Sequence, residues 1–89
     1  MEKFYKINSE EITYRIVDNE AVILNLKTGK YYSLNETATF IFKLLAAKTV
    51  TSEIIDRIAE EFEINKDNAS ADLKALIKDL TAEKIVTNC

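Results

Sequence analysis

The side chains with chemistry to offer fall into three sets: the carboxylates spread over residues 53–83, the tyrosine pair Tyr31-Tyr32, and a single thiol, Cys89. Paired carboxylates do acid–base work when they share a buried site that drives their pKa values apart. Here Glu53, Asp56, Glu60, Glu61 and Glu63, then Asp67, Asp72, Asp79 and Glu83, are interleaved with basic residues at the spacing of solvated helix faces, and nothing marks a pair for burial together. Histidine is absent, which removes the commonest general base and the commonest transition-metal ligand at once. Gly29 is the only glycine, so neither a glycine-rich phosphate loop nor a dinucleotide-binding turn can be built. Cys89 has no second cysteine to pair with and reads as an incidental tail residue. These residues predict a protein without catalysis, cofactor or metal, which leaves recognition as its chemistry.

Charge narrows the partner. A DNA duplex is bound chiefly by lysine and arginine neutralising phosphates. The net charge here is −3, residues 53–63 set five carboxylates against Arg57 alone, and residues 67–83 set Lys74 and Lys78 against Asp67, Asp72, Asp79 and Glu83. Nucleic acid is therefore the alternative partner, not the leading one. No segment approaches the ~20 apolar residues that span a bilayer. Residues 1–11 alternate charged and apolar types and lack the apolar run of a secretion signal, so a cytoplasmic protein without membrane contact is expected.

The elements that position these residues follow from periodicity. At 89 residues with 47% hydrophobic content the chain is expected to fold as one domain over 1–89, with a core from about 13 to 86. Thr13–Val17 alternates as a strand, and Asp18-Asn19 tolerates a tight turn. Ala21–Leu26 reads as a second, central strand, with Val22, Leu24 and Leu26 sharing the core face and Ile23 and Asn25 on the other. Gly29 supplies a positive φ for the next turn, and Tyr31–Leu34 resumes the strand pattern at a sheet edge.

Asn35 is suited to cap a helix whose core stripe is Ala38, Ile41, Phe42 and Leu45. Thr51 or Ser52 is expected to cap a second helix, with Ile55, Ile58, Ala59 and Phe62 buried and Glu53 paired with Arg57. Asn65 caps a third that runs to about Glu83 on Ala69, Leu73, Leu76, Ile77 and Leu80, and Ile85-Val86 ends as a short extended piece. The fold class is α+β: a three-stranded antiparallel sheet followed by three helices, winged helix-turn-helix-like.

The strand Tyr31–Leu34 has no proline and no bulge signal, and only Lys30 discourages another strand from pairing beside it. Three occupants suit such an edge: an extended peptide, the chain's own N-terminal residues, or the same strand of a second copy in a homodimer. Tyr31 and Tyr32 packing on opposite faces of the sheet is the plain structural reading of that pair.

Residues 21–38, AVILNLKTGKYYSLNETA, resemble the PqqD family of small peptide chaperones, stand-alone recognition elements for precursor peptides. The family pattern runs through an apolar strand, a Thr-Gly turn, aromatic residues, Leu-Asn and a helix ending in paired leucines. Thr49-Val50, Ile54-Ile55, Ala59, Phe62, Asp72-Leu73, Leu76-Ile77, Leu80 and Ile85-Val86 fit the remainder, so the likeness covers about Thr13 to Val86. The chain departs from the pattern where the family often has glycine, at Asn19, at Ala47 or Lys48 and at Lys84, and Phe42 replaces a frequent tryptophan. The resemblance implies a non-catalytic domain that binds the leader segment of a ribosomally synthesised precursor peptide. It presents that peptide to a separate modifying enzyme, often a radical enzyme using S-adenosylmethionine. It further implies that the leader lies antiparallel along the third strand, with Tyr31, Tyr32, Ser33 and Leu34 as ladder and wall and Asp72, Leu73, Leu76 and Asp79 as the opposite wall.

Overall fold

Two residues without glycine make the first turn. The computed structural model describes residues 3–88, and in it Asp18 and Asn19 both adopt left-handed backbone, with φ of 51° and 64°. Such a pair has the twist that a two-residue hairpin needs. It joins β2 (Ile12–Val17) to β3 (Glu20–Asn25), which pairs in turn with β4 (Tyr31–Leu34), giving an antiparallel sheet of order β2-β3-β4. The second turn is built by Asn25, whose carboxamide oxygen accepts from the amides of Lys27 (2.9 Å) and Thr28 (3.1 Å), while Gly29 takes the expected positive φ of 78°. Ahead of this sheet, β1 (Tyr5–Ile7) pairs with β5 (Val86–Asn88) in a separate two-stranded clasp that the sequence pattern does not announce.

The faces of β3 are the reverse of the expected ones. Ala21 and Ile23 are fully buried and Asn25 nearly so, whereas Val22 is 41% and Leu26 60% exposed. Three interactions choose this face. The amide of Ala21 donates to Thr39 Oγ1 at 2.8 Å, and the small Ala21 side chain is buried on the helix side. Asn25 satisfies its carboxamide on the turn and so costs little to bury. Opposite Ile23, Tyr14 and Tyr32 occupy the same face, and the Tyr14 ring meets Phe42 edge-on at 4.9 Å.

Three helices follow: α1 (Glu36–Ala46), α2 (Thr51–Phe62) and α3 (Lys66–Ala82). Asn35 and Asn65 cap α1 and α3, each accepting at 2.8 Å from the amide three residues on. For α2 the expected caps are inside the helix: Val50 holds the cap position without a side-chain bond, and the Thr51 amide donates to the Lys3 carbonyl at 2.8 Å. The buried residues of α2 are Ile54 and Ile58, with Ile55, Ala59 and Phe62 half-buried, so its stripe is rotated from the expected one. The cause is packing on two sides, since Phe62 also reaches Phe40 of α1, with ring centroids 5.3 Å apart. The Glu53–Arg57 pair forms at 3.5 Å.

All three helices end alike. Lys48, Glu63 and Lys84 take left-handed φ of 61°, 53° and 59°, and the next amide returns to the carbonyl five residues back: Thr49 to Leu44, Ile64 to Ala59, Ile85 to Leu80. This closure usually recruits glycine. Here long charged residues fill those positions, with solvent around their side chains. Phe42, Ile23, Leu45, Ile54, Ile58, Leu73, Ile85 and Val86 form the buried centre where sheet, helices and clasp meet. Each such side chain contributes about 1.5–3 kcal/mol on removal from water.

Candidate functional site

Antiparallel pairing uses the polar groups of alternate residues. Asn25 donates to the Lys30 carbonyl across the β3–β4 pair. With Ile23 opposite Tyr32 and Ala21 opposite Leu34, the alternation commits the backbone of residues 30, 32 and 34 to β3. The N–H and C=O groups of Tyr31 and Ser33 therefore point away from β3, along the open edge. Among the described residues no strand pairs there. The chain's own N-terminal segment, one of the expected occupants, is engaged elsewhere, in the clasp with β5 and at the start of α2.

Side chains divide the other way. Tyr31 is 72% exposed on the outer face, with Ser33 beside it, while Tyr32 and Leu34 are half-buried on the helix side. Thr39 ties β4 to the fold from behind: its hydroxyl accepts from Ala21 and donates to the Leu34 carbonyl at 3.2 Å, bridging the last rung of the ladder.

The third helix reaches β4 at its C-terminal end. Asp72, Leu76, Asp79 and Glu83 recur at three- and four-residue intervals, so they form one flank of the helix and its cap. Tyr32 Oη donates to Glu83 Oε1 at 2.6 Å, which ties the C-cap of α3 to β4. That bond to Glu83, then partial desolvation, then the carboxylate's charge push the phenol above its ordinary value. Leu76 is half-buried and Asp72 and Asp79 are exposed. Leu73, expected on the wall, is 2% exposed and supports it from inside the core. Glu83 was legible only as the end of a helix, because its partner lies 51 residues away in sequence. Among the described residues no three cysteine, aspartate or glutamate side chains gather as metal ligands, and no helix is long and apolar enough to cross a membrane.

The model of the family described as coenzyme PQQ synthesis protein D matches residues 20–86, from the start of β3 into β5. The chain belongs to the PqqD family. Two solved structures share the fold of this PqqD-family domain. TbiB1, solved in complex with the TbiA(beta) leader peptide, is 27% identical with a TM-score of 0.85, over 91% of this chain and 93% of that one. Lasso peptide synthetase B1, solved in complex with the leader peptide, has the same TM-score at 24% identity, over 93% and 96% of the two chains. No curated protein matches the sequence. The residues that the family model spans include β4 and α3, so the open edge and the third helix both fall within the matched region.

Proposed function

We propose that this domain binds the leader segment of a ribosomally synthesised precursor peptide as an added strand on β4, antiparallel to it, and presents that peptide to a separate modifying enzyme. One observation carries the reading: the outward-facing backbone of Tyr31 and Ser33 forms an open edge on a strand tied to the C-cap of α3 through Tyr32 and Glu83, in a fold shared with a protein solved with a leader peptide bound. Tyr31 and Ser33 supply the ladder. Tyr32 and Leu34 form one wall of the groove, Asp72, Leu76 and Asp79 the other, and Leu73 backs the helix.

The chemistry is recognition alone. Each rung nets about 0.5–1.5 kcal/mol once water is displaced. Apolar leader side chains entering between Leu34 and Leu76 add to this, and edge docking of this kind falls near a Kd of ~0.1–10 μM, about −8 kcal/mol at the micromolar centre. Modest affinity suffices, because a tether raises the local concentration of the attached peptide to the ~mM range. The modifying enzyme is a radical enzyme using S-adenosylmethionine or another peptide-modifying catalyst, and the encounter takes place in the cytoplasm, where the precursor is made. The helix that would enter a DNA groove, α3, sets Asp67, Asp72 and Asp79 against Lys66, Lys74 and Lys78, so it offers phosphate no net positive charge.

Titration of the isotopically labelled domain with its precursor peptide is expected to move the amides of Tyr31–Leu34 and of α3. Shifts confined elsewhere overturn the reading. Concentration-dependent sedimentation of the free domain, lost on peptide addition, identifies self-pairing of two β4 strands as a competitor for the same edge.

A further inference from the structure

A second cleft lies on the other side of α3 and has the opposite character. It encloses ≈ 320 Å³ between the residues entering β1, the first turn of α2 and the flank of α3 that carries Ser70, Lys74, Ile77 and Lys78. Its floor is apolar, with Leu73 buried and Tyr5, Ile55 and Ile77 half-buried. Its rim is Lys3, Lys74 and Lys78, all exposed. Among the described residues none of the three has an ion-pair partner and no carboxylate lines the cleft, although the chain carries a net charge of −3. Thr51, the first residue of α2, stands at the same mouth, and its amide donates to the Lys3 carbonyl, which holds Lys3 at the rim.

We propose that this cleft docks a short acidic–apolar segment of the separate protein that modifies the bound peptide. The inference rests on the leader-binding reading, because a carrier has to be engaged while its groove is full. The geometry permits both at once: the groove uses the α3 flank of Asp72, Leu76 and Asp79, and the cleft uses the opposite flank. Charge sorts the two occupants. An acidic segment is repelled by Asp72, Asp79 and Glu83 and drawn to Lys3, Lys74 and Lys78. The lysines stand at separate points, two of them one helical turn apart on α3 and one on the facing wall. That layout suits carboxylates spaced along a chain better than one compact anion, and the apolar floor accepts a leucine- or phenylalanine-type side chain between them.

The test titrates the full-length labelled chain with an acetylated ten-residue peptide alternating leucine and phenylalanine with aspartate and glutamate, and with a counterpart carrying lysine at every acidic position. The acidic peptide is expected to shift amides of Thr51, Ile55, Ser70, Lys74, Ile77 and Lys78 and to leave Tyr31–Leu34 unmoved. The Lys74→Glu/Lys78→Glu variant, altered at two exposed positions, should bind it about tenfold more weakly. Shifts on β4, equal binding of the lysine counterpart, or undiminished binding by the variant overturn the proposal. So does co-sedimentation with phosphatidylglycerol vesicles without peptide binding, which assigns the lysines to a lipid surface. Precursor peptide titrated in parallel separates the two readings. Leader binding at β4 with no acidic-peptide binding ends the docking proposal alone, whereas the reverse result ends the leader-binding reading and supports the cleft as a docking site.

Discussion

The two flanks of α3 share a helix and differ in almost everything that matters for recognition. One carries Asp72, Leu76, Asp79 and Glu83, and Tyr32 of the open strand bonds to Glu83. On the other, Ser70, Lys74, Ile77 and Lys78 face the entry to β1 and the start of α2 across an apolar floor. The first flank offers a backbone ladder and the second offers none, so the first suits an extended peptide and the second suits side chains. The sheet repeats the lesson. Strand β2 is also an edge of the β2-β3-β4 sheet and meets α1 through Tyr14 and Phe42, whereas β4 is tied to the end of α3 through Tyr32 and Glu83. An edge becomes a groove when a second wall stands beside it.

The largest effect is expected from Ser33→Pro. Proline removes an amide that β3 does not use and clashes with a strand added outside it, while edge strands tolerate proline. The variant should keep its far-ultraviolet dichroism and lose precursor binding by more than about a hundredfold, roughly 2.7 kcal/mol, by calorimetry. Near-normal affinity in a folded variant would remove β4 from the site.

Charge reversal tests the flanks against each other. Asp72→Lys/Asp79→Lys is expected to weaken leader binding about tenfold, close to 1.4 kcal/mol, whereas Lys74→Glu/Lys78→Glu should leave leader affinity within about twofold. Equal effects of the two pairs would erase the distinction between groove and cleft.

The Tyr32–Glu83 bond gives a smaller, pH-dependent signature. The folded state raises the Tyr32 pKa, so it keeps the proton to higher pH than the unfolded chain does. The stability this contributes is fully present below the ordinary phenol pKa and is lost as pH rises through the raised folded value. Spectrophotometric titration should find Tyr32 ionising above the ordinary phenol value, and Glu83→Gln should bring it back toward that value. An unchanged titration in that variant would detach the wall from the strand.

The smallest effect lies away from both flanks. Lys48 closes α1 in left-handed backbone, and Lys48→Gly relieves that conformation at the cost of a freer unfolded chain. A net gain of about 0.5–1 kcal/mol is expected, a rise of a few degrees in Tm, with leader affinity unchanged. A fall in Tm would show that the lysine side chain, not the backbone, holds that turn.

Much of the fold was legible because local chemistry dictates it. Asn35 and Asn65 have the side-chain oxygen a first helical turn needs, Gly29 has the freedom its turn demands, and the Glu53–Arg57 spacing places opposite charges one turn apart. The central place of β3 followed from apolar residues on both its faces. Which face is inside did not follow: Ala21 is small and Asn25 polar, and their burial depends on Thr39 and on two turn amides. The cap of α2 was hidden for the same reason, since its partner is the carbonyl of Lys3.

The candidate site divides along the same line. The sequence by itself determined that Tyr31–Leu34 forms a strand without proline at a sheet edge and that the third helix carries Asp72, Leu76 and Asp79, because periods of 2 and 3.6 are properties of neighbouring residues. Only the tertiary structure decided that the N-terminal segment leaves that edge open, that Leu73 turns into the core, that Glu83 bonds to Tyr32, and that Lys3 meets Lys74 and Lys78 around one cleft. Those facts depend on pairs far apart in the chain, brought together when the N-terminal strand closes on β5 and the three helices bury Phe42 against the sheet.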